Sequence, residues 1–161
     1  MGEDARYALW LNRLVGDNVR EYRSIVDAWS SERAAFEAAA QKKPVAGDDD
    51  TLNARMHDAA REEKLDKYVK WLHRHEIQAV TYLDEDYPPL LREIYDPPTV
   101  LFVKGRLPHP DQLLIAVVGA RKNTRYGADT AKALSFELAR QGCCVVSGLA
   151  YGIDACAATA A

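Results

Sequence analysis

Residues 113–127 read LLIAVVGARKNTRYG, an apolar run closed by Gly119 and followed by Arg121, Lys122 and Arg125 before the next glycine. A run that apolar has the pattern of a strand shielded on both faces, as in a parallel sheet. The cations therefore arrive where a buried strand surfaces into a loop. A guanidinium held on a stiff turn offers a two-pronged donor that suits a phosphate. The order is not G-x-G-x-x-G, because Arg121 stands where a second glycine would let backbone press on a pyrophosphate. It is not G-x-x-x-x-G-K-[ST] either, so no P-loop is present. Asn123 or Thr124 is placed to cap a following helix, whose N-terminus favours an anion. Tyr126, next to Arg125, offers a face for stacking a base or for packing the loop onto the sheet.

A second loop, SGLAYGID at 147–154, strengthens this reading. Ser147 ends a strand with a hydroxyl, Gly148 allows close backbone approach, and Gly152 permits the turn. Asp154 falls at a helix start, where a carboxylate caps well or serves the site. Two phosphate-suited loops at one sheet edge say more than either alone.

No catalytic set accompanies them. His57, His73, His75 and His109 all precede the segment that forms the loops. His73 and His75 stand two apart near a helix end and point to different faces, so they are poor metal partners. Ser147 has no evident base. Asp84, Glu85 and Asp86 cluster beside a proline pair, where solvated carboxylates are expected. Neither a metal nor another cofactor is expected. Cys143, Cys144 and Cys156 form no disulfide framework, since adjacent strand residues alternate faces; small buried thiols are the expectation.

The elements that must position these loops follow from periodicity. Strand 113–118 leads to Gly119, a helix spans about 127–140, Gly142 ends it, and strand 143–146 leads into the second loop. A right-handed crossover makes the two strands parallel and opens both loops onto one crevice. Upstream, Leu9, Leu11, Leu14 and Val15 cluster. Val19, Tyr22, Ile25, Val26 and Trp29 recur at helical spacing after Asp17, a candidate N-cap. SSERAAFEAAA starts on a capping serine and continues in helix formers. QKKPVAGDDD breaks the pattern as a surface loop, and one longer amphipathic helix is expected from Leu52 to about His75. Beyond it, β-prone runs at 78–83 and 99–103 bracket Pro88-Pro89 and Pro97-Pro98, an ordered connector leading into the sheet.

Composition sets the outer bounds. The 161 residues are 48% apolar and 28% charged, an ordinary globular balance. No window holds the ~18 apolar residues of a membrane span, and MGEDARYALW lacks the order of a signal peptide, so a cytoplasmic chain without membrane contact is expected. Net charge is −3, yet residues 104–161 carry seven Lys and Arg against four Asp and Glu, a balance of +3. Residues 1–103 then hold −6. Base gathers around the two loops.

The reading is an α/β fold: a Rossmann-like parallel sheet, unfinished and therefore truncated, preceded by a small all-helical domain. The expected boundary lies between 1–75 and 76–161. The chain stops at AATAA inside a helix, which points to a fragment whose remainder supplies further strands.

Three runs, YPPLLREIYDPPTVLFVKG (87–105), AVVGARKNTRYG (116–127) and VVSGLAYGIDACA (145–157), together resemble the DNA-processing protein A family (DprA, or Smf). The likeness covers roughly residues 80–161, and the helical front looks like that family's smaller leading domain, of the SAM or helix-hairpin-helix kind. The resemblance implies an extended Rossmann-like domain that binds single-stranded DNA in natural transformation and recombination. It implies protection of incoming strands and loading of the RecA recombinase, without catalysis, and a homodimer formed through the part beyond residue 161. Position by position, Gly119 and Arg121 match the family's Gly-x-Arg loop, whose arginine holds a phosphate. Ser147, Gly148, Gly152 and Asp154 match its S-G-x-x-x-G-I-D loop. The family usually has a histidine soon after that aspartate, where Ala158 stands here. Lys122, Arg125 and Tyr126 complete the expected DNA-binding set. Two other readings remain: a nucleotide-processing Rossmann-like enzyme resembling the LOG-type phosphoribohydrolases, and a protein-contact module using the acidic helical front.

Overall fold

The computed structural model describes residues 5–60 and 62–161. The chain divides into two compact units, residues 1–107 and 108–161. No helix among the described residues is long and apolar enough to cross a membrane.

The first unit is built on five helices. They are α1 (Ala5–Val15), α2 (Val19–Trp29), α3 (Glu32–Ala40), α4 (Asp50–Ala59) and α5 (Glu62–Arg74). Side-chain caps start three of them, each satisfying a backbone N–H that has no partner in the first helical turn. Asn18, and not the expected Asp17, caps α2 by accepting from the Glu21 N–H at 3.2 Å. Ser31 caps α3 and Asp49 caps α4. The core gathers Tyr7, Leu9, Trp10, Leu11, Tyr22, Phe36, Met56 and Leu72. Tyr7 and Trp10 both bring their rings against Phe36.

The single helix expected from Leu52 to about His75 is two helices, with residue 61 outside the described residues. No Gly or Pro marks the break. Helix α4 packs against α1 and α3, whereas α5 packs against α1 and the strand that follows it. Two burial partners in different directions override a continuous helical pattern.

Strands β1 (Ile77–Thr81) and β2 (Val100–Lys104) pair antiparallel, Ile77 opposite Lys104 and Thr81 opposite Val100. The expectation that these runs lead into the later sheet is therefore corrected. They form their own two-stranded sheet and belong with the helices by contact. The connector returns the chain. Asp84 Oδ2 accepts the Thr81 N–H at 2.7 Å, so this carboxylate ends β1 instead of merely facing water. A short turn, α6 (Pro89–Arg92), starts on proline as helix geometry allows. Buried Tyr87 donates to the Pro98 carbonyl at 2.8 Å, joining the two proline pairs.

The second unit runs β3 (Leu114–Ala116), α7 (Arg125–Arg140), β4 (Cys144–Val146) and α8 (Ile153–Ala160). β3 and β4 are parallel, Leu114 opposite Cys144 and Ala116 opposite Val146, as the crossover argument requires. Gly142, at φ 83°, ends the α7 turn in the left-handed conformation that glycine adopts without strain. One expectation fails here. The apolar run is not shielded on both faces: Leu113 is 64% and Val118 68% exposed. With two strands and two helices, only Ala131, Ser135, Asp154 and Ala157 are buried in this unit. The three cysteines are free thiols and half-buried, not fully buried.

Candidate functional site

Both expected loops leave the same edge of the parallel pair, because parallel strands end together. The Val117 N–H continues the ladder to the Val146 carbonyl at 3.0 Å, and beyond it the two chains diverge into loops. Ser147 Oγ donates to the Val117 carbonyl at 2.9 Å, tying the second loop to the first strand where they part.

The loops then lock onto one another through their glycines. A Cβ on Gly119 would lie 2.8 Å from the Ile153 side chain. A Cβ on Gly152 would lie 2.3 Å from the Ala120 carbonyl oxygen and 2.6 Å from that of Arg121. Gly152 also has φ 93°, a conformation that side chains oppose. The Ile153 N–H reaches the Ala120 carbonyl at 3.3 Å. Each loop's glycine is thus the space into which the other loop fits.

Asp154 completes the lock. It is buried, and its Oδ1 accepts the Gly119 N–H at 3.1 Å across 35 residues of sequence. It does not cap its own helix: α8 begins after Gly152 with no side-chain cap. A Cβ on Gly148 would sit 3.2 Å from Asp154 Oδ2, so the smallest residue there leaves the carboxylate its place. An ionised carboxylate accepting a backbone N–H makes a strong bond, and here it holds the first loop's backbone in position.

What the lock leaves outward is cationic and aromatic. Arg121 and Lys122 are exposed and, among the described residues, enter no ion pair. Thr124 caps α7, accepting the Gly127 N–H at 3.1 Å, so the helix starts two residues earlier than expected. Arg125 and Tyr126 consequently occupy its first turn. A cation there opposes the helix dipole, and Asp129 at 3.9 Å offsets it only partly because both side chains are largely in water. An anion at that end would reverse the sign of the interaction. Tyr126 is 80% exposed; it does not pack the loop onto the sheet.

The nine expected residues therefore fall into two groups. Arg121, Lys122, Arg125 and Tyr126 present their side chains to solvent, while Gly119, Ser147, Gly148, Gly152 and Asp154 hold the two loops together. Sequence reasoning passed over Tyr151, which is 87% exposed in the second loop. An aromatic between two loop glycines, where no core can take it, was the available signal. It also passed over Ile153, whose side chain fills the space at Gly119. Among the described residues no cluster of His, Cys, Asp or Glu could hold a metal.

A parallel strand pair with a crossover helix and two interlocked loops at its C-terminal edge defines an α/β protein of the Rossmann-like kind. The chain belongs to the DNA recombination-mediator protein A family, whose family model matches residues 78–161. Over 79 residues it is 42% identical to DNA processing protein DprA of Bacillus subtilis, covering 48% of this chain and 27% of that protein. Over 82 residues it is 43% identical to Protein Smf of Synechocystis, covering 48% of this chain and 21% of that one. The X-ray structure of DNA processing protein A from Streptococcus pneumoniae superposes with a TM-score of 0.69 at 25% identity, covering 96% of this chain and 53% of that chain. The matched stretches span about a quarter of the curated relatives' length, and the structural match about half of the solved one.

Proposed function

We propose that the chain binds single-stranded DNA through the paired loops of its second unit, and that it works in natural transformation and recombination. In this role it shields incoming strands in the cytoplasm and helps to load RecA onto them, as part of an assembly that includes a homodimer. It acts by binding and not by catalysis. Ser147, the one serine in the second loop, is committed to a main-chain carbonyl.

The observation that carries the reading is the mutual locking of the loops. It fixes the backbone at Ala120 and Arg121 while leaving Arg121, Lys122 and Arg125, among the described residues, with no ion-pair partner other than Asp129. A cation on a backbone that does not move loses little freedom when it meets a phosphate. Tyr126 and Tyr151 stand exposed on the same loops, and a single strand offers unpaired bases for such rings.

Fluorescence anisotropy of a labelled oligonucleotide, titrated with salt and with duplex as competitor, tests this. Binding should prefer the single strand, tolerate sequence changes and weaken with salt. Arg121→Ala should weaken it for every sequence and flatten the slope of log K against log salt by about 0.7. A slope identical to wild type would remove Arg121 from the interface.

A further inference from the structure

Helix α5 carries three stripes. Successive helical residues turn by about 100°, so Leu65, Val69 and Leu72 share one line. Tyr68, Trp71 and His75 share the next, and Lys67, Lys70 and Arg74 share the one beyond it. The first line is core: Leu65 and Leu72 are buried and Val69 packs against them. The second is not, since Trp71 is 48% exposed and His75 is exposed.

The rings are nevertheless ordered. Tyr68 and Trp71 stack with centroids 6.4 Å apart and planes 7° apart. The His75 ring lies 4.3 Å from that of Trp71, and its Nδ1 is 2.8 Å from the Trp71 carbonyl oxygen. Phe102 on β2, 49% exposed, meets Tyr68 edge-on at 6.4 Å. Lys104 stands two residues further along the same strand face, and the Arg13 guanidinium lies 5.8 Å from the Tyr68 ring centre. Lys67, Lys70 and Arg74 are all exposed beside the rings. Among the described side chains of α5 the one carboxylate, Asp66, pairs with Arg6 at 3.5 Å.

We infer that this aromatic strip with its basic flank is a second seat for single-stranded nucleic acid, on the helical unit. Unpaired bases lie against Trp71 and its neighbouring rings, and the phosphates run along Lys67, Lys70 and Arg74. Stacking asks only for a π-face, and every base has one. The charge selects this occupant over a protein. The cations repeat at each turn along one side of the rings, in a unit whose overall balance is acidic, and such a line complements a polyanion. Duplex is excluded because its bases already stack on one another. The choice of ligand rests on the function proposed above, but the residues are wholly different.

Trp71 supplies its own readout. Of the chain's three tryptophans, Trp10 is buried and Trp29 half-buried, so a ligand on the strip perturbs Trp71 selectively. The test titrates the full chain with labelled oligo-dT at low salt, reading tryptophan emission and label anisotropy together. Emission should be quenched on binding, and Trp71→Phe should abolish the quenching while keeping the ring and the binding. Trp71→Ala should weaken affinity about tenfold. Replacing Lys67, Lys70 and Arg74 together by Gln should flatten the salt slope by about 2. In an Arg121→Ala background the quenching should persist.

Binding by anisotropy with unchanged emission, and with Trp71→Ala equal to wild type, overturns the second seat and leaves the loop reading standing. Quenching with Arg121→Ala binding as well as wild type does the reverse. No binding of oligo-dT at all overturns both, and a protein partner then becomes the occupant of the rings.

Discussion

At the scale of single residues, the glycines of the two loops matter for a different reason from the one their type first suggests. Gly148 invites a reading in which backbone comes close to a ligand, and Gly119 reads as the start of a phosphate-holding loop. Their missing side chains instead make room for Ile153 and Asp154. The two closest approaches differ in how they can relax. At Gly119 the obstacle is an isoleucine side chain, which can shift, so Gly119→Ala should cost about 1–3 kcal/mol. At Gly152 the obstacles are two main-chain carbonyls and the backbone already has φ 93°. Gly152→Ala should therefore cost more, about 3 kcal/mol or above. Urea unfolding of each variant, followed by far-UV circular dichroism, should rank Gly152→Ala as the more damaging. Equal losses would mean that the loops are not held by this contact. Asp154→Ala should also destabilise, by about 1–3 kcal/mol, because it strands the Gly119 N–H and removes a charged acceptor.

At the scale of elements, helices are placed by what they bury, and this decides their response to alkali in the first unit. Tyr22 on α2 is fully buried and donates to Glu32 Oε1 on α3 at 2.8 Å. Burial first, and the Glu32 carboxylate second, hold its phenol far above the ordinary tyrosine value near 10. The folded state thus keeps the proton that the unfolded chain gives up. Its stabilisation is full below pH ~10 and is lost progressively as the pH rises above that value. Stability measured from pH 8 to pH 11 should fall at the alkaline end, and Tyr22→Phe should be less stable at pH 8 but show a shallower decline. An identical decline in the variant would assign the effect to other groups. The same pairing of α2 with α3 was half legible: helical spacing placed Tyr22 on the apolar line, but nothing local identified its partner ten residues on.

At the scale of the whole molecule, the two units differ in how much they bury. The first has a continuous core running from Tyr7 to Val100, whereas the second buries few residues fully. Leu113, Val118, Leu134 and Phe136 of the second unit remain more than half exposed, an unusual load of apolar surface. Hydrophobic burial being the main stabilising contribution, the second unit should unfold first. All three tryptophans, Trp10, Trp29 and Trp71, lie in the first unit, so emission reports that unit alone. In a urea titration, far-UV dichroism should begin to fall as α7 and α8 melt, before tryptophan emission moves. Coincident transitions would show that the units fold as one. A dye that fluoresces on apolar surface should bind the native chain and be displaced at the lower transition.

Local signals in the chain were enough for the element types, the parallel β3–β4 pair and both loops, since hydrophobic period and turn chemistry act over a few residues. They were enough for the family as well, because three runs occur in fixed order. What they left open depends on contacts between distant residues. The break between α4 and α5 comes from two packing partners, the pairing of β1 with β2 from the proline-bounded return of the connector, and the exposure of Leu113 from how few elements cover β3. The division of the loop residues into a locking set and a presented set is likewise tertiary. A glycine's type tells that something comes close, and only the fold tells whether that is a ligand or the neighbouring loop.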